Sequence, residues 1–246
     1  MLRPVMTLLE KRPVRQSLSV AVATGLYGLS FGALAVTAGL SISQTMVLSM
    51  VMFSGASQFA LIGVVGAGGT ALAAVASAAL LGVRNGLYGL HNAPLLSRLP
   101  QIFRLLAAHL TIDESTAVAA AQPTKAESRQ GFWLTGVAVW LLWNALTLVG
   151  ALAGGQLGDP AAWGLDAAAS AAFLGLLWPR LTGTADHPAL AQRARLASVL
   201  AAIAALTLVP LTPPGIPVLG GLLGALVAGW LPQRFLISRS TVRGEA

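Results

Sequence analysis

Apolar residues fall in long blocks along this chain, separated by short clusters of Gly, Pro and charge. The blocks are 18–40, 45–65, 71–90, 131–153, 165–181, 196–211 and 216–231. A bilayer core of roughly 30 Å takes about 20 apolar residues per helix, so each block predicts a membrane-crossing helix. The joints carry turn chemistry, at Gly66, Gly68 and Gly69, at Gly158-Asp159-Pro160, at His187-Pro188 and at Pro213-Pro214-Gly215. The first block resembles a secretory signal, with Arg3, Lys11, Arg12 and Arg15 before it and Ala33-Leu34-Ala35 inside it. It is too long for a signal core and more blocks follow, so a retained first helix is expected. The stretch 91–130 is mixed, holding Pro94, Pro100, Pro123 and most of the mid-chain charge.

Loop charges constrain how these blocks cross, because Lys and Arg collect on the cytoplasmic side. The four basic residues before the first block put the N-terminus inside. Arg180, Arg193 and Arg195 mark one later joint, and Arg234, Arg239 and Arg243 mark the tail, while the 154–164 and 212–215 joints have no Lys or Arg. Alternation then places Lys125 and Arg129 inside as well. An even number of crossings is required between residues 18 and 124, where three blocks are visible. Either the second or third block is broken or re-entrant, or part of 102–122 crosses as a fourth, more polar element. Irregular backbone survives at membrane depth only where protein or a water-filled cavity satisfies it, and in transporters such interruptions form the substrate site. The expected fold is an all-α polytopic membrane protein of about seven transmembrane helices, with a broken or re-entrant element in its first half. A single transmembrane domain over 18–234 is expected between basic cytoplasmic tails at 1–17 and 235–246.

Composition agrees. Of 246 residues, 56% are hydrophobic and 9% charged, against about 25% charged in a soluble domain. A soluble enzyme and a disordered chain are both excluded. There is no cysteine, and the three histidines at 91, 109 and 187 are too scattered for a metal cluster. The net charge of +7 would suggest nucleic acid in a soluble protein, but here the basic residues lie between the apolar blocks. No Walker A or dinucleotide fingerprint is present, and Gly55-Ala56-Ser57-Gln58 is not the Gly-x-Ser-Gly pattern of an intramembrane serine protease. No cofactor, metal or enzymatic chemistry is expected.

Polar residues inside apolar blocks are costly unless paired or facing a cavity, which makes each a candidate site. The densest group is Ser54, Gly55, Ser57 and Gln58 in the second block. A helix break there would free backbone N–H groups for a carboxylate, with Gln58 suited to the polar end of an amino acid. The same residues would also make a small-residue packing seam with Gln58 as interhelical glue. Arg84 and Asn85, with Tyr88, lie near the end of the third block, where Arg84 could pair a carboxylate or reach the interface with Tyr88 as a belt residue. Asp113 and Glu114, with His109 and Thr111 nearby, are either proton-coupling groups at a cavity mouth or helix caps. Asn144 reads as interhelical glue and Asp166 as a complement to its helix dipole. An echo of 76–82 at 169–175 could mark a duplicated unit or a coincidence of composition.

Together, Gly28-Leu29-Ser30-Phe31-Gly32, Phe53 to Phe59, Arg84 to Tyr88, Asp113-Glu114-Ser115, Leu165-Asp166 and Phe173 to Pro179 resemble the AzlC-type branched-chain amino acid permease family. The resemblance spans roughly residues 20–234, and Ser54 to Phe59 is its most specific piece. It implies export of branched-chain or other apolar amino acids across the bacterial inner membrane, with a small hydrophobic AzlD-type partner subunit. The residues themselves suggest a clamp of Ser54, Ser57, Gln58 and freed backbone, with Phe53 and Phe59 against the substrate side chain. A channel-like pore and a structural subunit of a transport complex are the alternative readings.

Overall fold

The computed structural model describes residues 12–156 and 188–230, together with residues 174, 175, 177, 178 and 180–183 between them. Among these the regular structure is helical throughout. In chain order the helices are α1 (Arg12–Thr37), α2 (Ile42–Val51), α3 (Gly55–Gly66), α4 (Ala71–Leu96), α5 (Gln101–His109), α6 (Asp113–Ala120), α7 (Lys125–Gly154), α8 (Pro188–Leu208) and α9 (Ile216–Trp230). α1, α4, α7 and Leu190–Leu208 of α8 are long and apolar enough to cross a membrane. The chain is an all-α polytopic membrane protein. Most of the fifth block, Asp166, residues 169–173 of the internal echo, His187, residues 1–11 of the N-terminal tail and the whole C-terminal tail lie outside the described residues.

The centre of the bundle is the pair α1–α7. Lipid tails are as apolar as Leu, so helices in a membrane associate by close packing at small residues. Gly28 and Gly32 of α1 lie directly on the backbone of Trp143 and Thr147, and Gly150 and Gly154 of α7 lie on Leu29 and Ala33. A methyl group on Gly28 would sit 2.7 Å from the Trp143 carbonyl oxygen, and one on Gly32 would overlap the Thr147 carbonyl outright. Overpacking of this kind costs about 1–3 kcal/mol. Gly32→Ala is therefore expected to lower the unfolding temperature in detergent, whereas Gly86→Ala, in open space, should leave it unchanged.

The contacts also fix direction. Ser17 meets Gly131 and Thr135, Gly25 meets Leu142, and Gly32 meets Thr147 and Ala151, so α1 and α7 run parallel. The chain between them must cross the bundle an odd number of times. α4 makes that crossing alone, because both α2–α3 and α5–α6 turn back. Gly66 at the end of α3 lies against Ala38, just before α2, so the first hairpin enters and leaves by the end of the bundle where α1 finishes. The second enters after α4 and leaves where α1 begins, since Gln122 donates to Gln16 at 2.7 Å. At about 1.5 Å per residue, helices of 8 to 12 residues reach about 12–18 Å, half a bilayer core. Of the alternatives left open by the charge parity, the broken second block is the one present, and 101–120 is a second re-entrant element in place of a fourth crossing. The two tips meet mid-bundle, where the rings of Phe53 and His109 are 5.7 Å apart.

Candidate functional site

Each tip contains a helix break held open by a polar side chain. α2 stops at Val51, Ser54 is extended (φ −152°, ψ 97°), and α3 begins at Gly55. Gln58, one turn into α3 and 0% exposed, donates its amide to the Met52 carbonyl at 2.7 Å and lies within 3.4 Å of the Ser49 and Leu48 carbonyls. The Leu48 and Met52 carbonyls also accept from the Met52 and Ser54 N–H groups, so Ser49 is the one that the end of α2 leaves to Gln58. At the second tip, the Ser115 hydroxyl accepts from the Ile112 N–H at 3.1 Å and donates to the Leu110 carbonyl at 2.7 Å.

The tips enclose a cavity of about 220 Å³. Thr24 and Tyr27 of α1, Phe53 to Ala56 and Phe59 of the first hairpin, Arg84 and Asn85 of α4, Ile112 to Glu114 of the second, and Val139 and Trp143 of α7 line it, with Gly175. Arg84 lies midway along α4, which runs on to Leu96. It is therefore at the depth of both breaks and not at an interface. Its Nη1 donates to Asp113 Oδ2 at 2.7 Å. Glu114 accepts from the Thr24 hydroxyl at 3.4 Å. Asp113 and Glu114 sit in the first turn of α6, where negative charge complements the exposed N–H groups. The first turn of α3 has no acidic residue, and no side chain caps it. The Ser54 hydroxyl is 3.1 Å from that of Ser57 instead.

Of the residues singled out in the sequence, Ser54, Gly55, Phe59, Arg84, Asn85, Asp113 and Glu114 are brought to this cavity. Ser57 and Gln58 are not. Ser57 borders a second cavity of about 380 Å³, between α3, α4 and the tip of the second hairpin, which shares Phe53, Ser54 and Asn85 with the first. Gln58 faces the break. Removing its amide leaves the buried Ser49 carbonyl without a donor and takes a second donor from Leu48 and Met52, at about 1–3 kcal/mol for a buried group left unpaired. Gln58→Ala should therefore reduce stability in detergent, and the protein that remains folded should bind substrate with unchanged affinity. A stable variant with weakened affinity would put Gln58 at the ligand after all.

Asn144 donates to Trp140 within its own helix rather than to a neighbour. Tyr88 accepts from Arg180 at 3.0 Å. Thr24, Tyr27, Ile112, Val139 and Trp143 line the cavity without having been singled out. Trp143 is 4% exposed, stacked on Phe31 at 6.0 Å and edge-on to Phe59 at 6.3 Å.

The family model described as AzlC protein matches residues 19–157, more than half of the chain. The matched span contains both hairpins, α4 and α7, and every cavity residue except Gly175. No curated protein matches the chain, and no solved structure does.

Proposed function

Because the chain belongs to the AzlC family, whose role is membrane transport, we propose that it is a secondary transporter exporting branched-chain and other apolar amino acids across the bacterial inner membrane. The observation that carries this reading is the cavity between two opposed re-entrant tips, half-way through the bundle and walled by both charge and aromatic rings. Arg84 and the first turn of α3 suit a carboxylate, Asp113 and Glu114 suit an ammonium group, and Phe53, Phe59 and Val139 suit an aliphatic side chain. An apolar wall discriminates by about 1–3 kcal/mol per methylene, so Leu, Ile, Val and Met should compete with one another. Phe53, Ser54 and Asn85 separate the two cavities, and their movement would open the site to one side and then the other.

The N-terminus is assigned to the cytoplasm. Arg12, Arg15, Arg98, Lys125 and Arg129 gather at the end of the bundle where α1 begins, and 37–42, 66–70 and 208–216 at the other end contain no Lys or Arg. An AzlD-type small subunit would complete the exporter. Counterflow of labelled leucine in proteoliposomes holding the chain with and without such a subunit tests the reading. Acceleration by unlabelled leucine on the far side is the expected result, and flux without trans-stimulation would make the protein a pore.

A further inference from the structure

We propose that Trp143 is a substrate-contacting residue of this site, its indole N–H joining the first-turn N–H groups of α3 to form the carboxylate subsite. The inference rests on the amino acid reading above and adds a residue to it. The indole is clamped on three sides: Phe31 stacks on it, Phe59 meets it edge-on, and its benzo edge covers Gly55, where a methyl group would come 3.0 Å from Cη2. Gly55 thus leaves room for the ring to lie against the start of α3. The ring lines the cavity, and its Nε1 is buried without a hydrogen-bond partner. Buried polar atoms in native proteins are almost always paired, so an unpartnered N–H on a ring that lines the cavity calls for an acceptor in the occupant.

Three further features point to an acceptor that carries negative charge. The N-terminus of α3 has neither a side-chain cap nor an acidic residue in its first turn, whereas that of α6, across the cavity, has Asp113 and Glu114. The Ser54 hydroxyl, the natural cap, is turned to Ser57. Arg84 Nε, on the same cavity, is also buried and unpartnered. The cavity is thus bordered by unpartnered donors on Trp143 and Arg84, the unpartnered acceptor Asn85 Oδ1, and the carboxylates Asp113 and Glu114, with Arg84 and Asp113 paired to each other. A zwitterion fits this set of donors and acceptors.

The test uses the purified full-length chain, with its partner subunit where one is needed, and compares L-leucine with leucinol, in which an alcohol replaces the carboxylate. Trp143→Phe keeps one aromatic ring beside Phe31 and removes the N–H together with part of the indole's bulk, so some thermal stability is lost and the leucinol comparison separates that packing loss from the loss of the N–H. Leucine affinity is expected to fall about tenfold or more, while leucinol affinity stays near wild type, so that the preference for leucine shrinks. Gly55→Ala, which pushes the indole off the start of α3, should reduce the same preference and serves if Trp143→Phe does not fold. Wild-type leucine binding in Trp143→Phe, or equal loss for both ligands, overturns the assignment of Trp143 and leaves the transport reading standing. A wild-type protein that binds no aliphatic amino acid overturns both.

Discussion

Arg84→Gln is expected to abolish leucine transport and to lower the yield of folded protein, and adding Asp113→Asn should restore the yield without restoring transport. The two side chains meet at 2.7 Å between the middle of α4 and the tip of the second hairpin. Removing one partner of a fully buried pair costs about 3–5 kcal/mol, because the other charge is left uncompensated. The cost here is smaller, since the side chains are 25% and 19% exposed. Replacing both with neutral side chains removes the stranded charge, so most of the stability should return. Transport should not, because the cavity then has no cation for a carboxylate, and a charge-assisted bond is roughly twice as strong as a neutral one. Yield is read by size-exclusion chromatography of the detergent extract and transport by counterflow. Full transport by the double variant would make the pair a tie between two elements and nothing more.

Much of this arrangement could be read from the sequence, for definite physical reasons. The shortage of charge and the twenty-residue blocks impose membrane-crossing helices, and the loop arginines demand an even number of crossings before Lys125. That parity points to a re-entrant element, and Ser54 and Gly55 mark where the second block breaks. The second hairpin is harder to see. Residues 101–120 are short of apolar length and carry Arg104, His109, Asp113 and Glu114, which fits a polar crossing as well as a turn-back. Only Gln122 against Gln16 and the parallel α1–α7 pair settle it.

Side-chain direction was the larger gap. Gln58 has the donors to hold a ligand, and no local pattern reveals that the Ser49 and Met52 carbonyls at the end of α2 claim them. Trp143 is hidden for the opposite reason, as one of several aromatic residues in an apolar block. Its spacing did hold a signal: Val139, Trp143 and Thr147 follow at four-residue intervals on the face of α7 that meets α1 and the first hairpin. A ring on that face, with an N–H to satisfy, is a candidate whenever the neighbouring helix is broken.

Glu114→Gln is expected to retain leucine counterflow and to lose the dependence of net transport on a proton gradient. The cavity holds two carboxylates, Asp113 and Glu114, and one guanidinium, Arg84. Arg84 is ion-paired with Asp113, whereas the side-chain hydrogen bond to Glu114 comes from the Thr24 hydroxyl, at a long 3.4 Å. The other titratable group on the wall is Tyr27, and no second cation lines the cavity among the described residues. A site out of water tolerates little net charge. On the proposed reading the substrate's ammonium group takes the place of a proton on Glu114 while its carboxylate is met by the donors at the start of α3, so loading and release of substrate exchange a proton at this residue. Glutamine is neutral in both states, which breaks the exchange and preserves the shape of the site. Exchange of labelled for unlabelled leucine needs no net proton movement and should continue, with weaker affinity because one partner of the ammonium is lost. Net leucine flux in proteoliposomes, measured with and without an imposed pH difference, is the deciding measurement. A Glu114→Gln protein that still responds to the gradient as wild type does would move the coupling to another group.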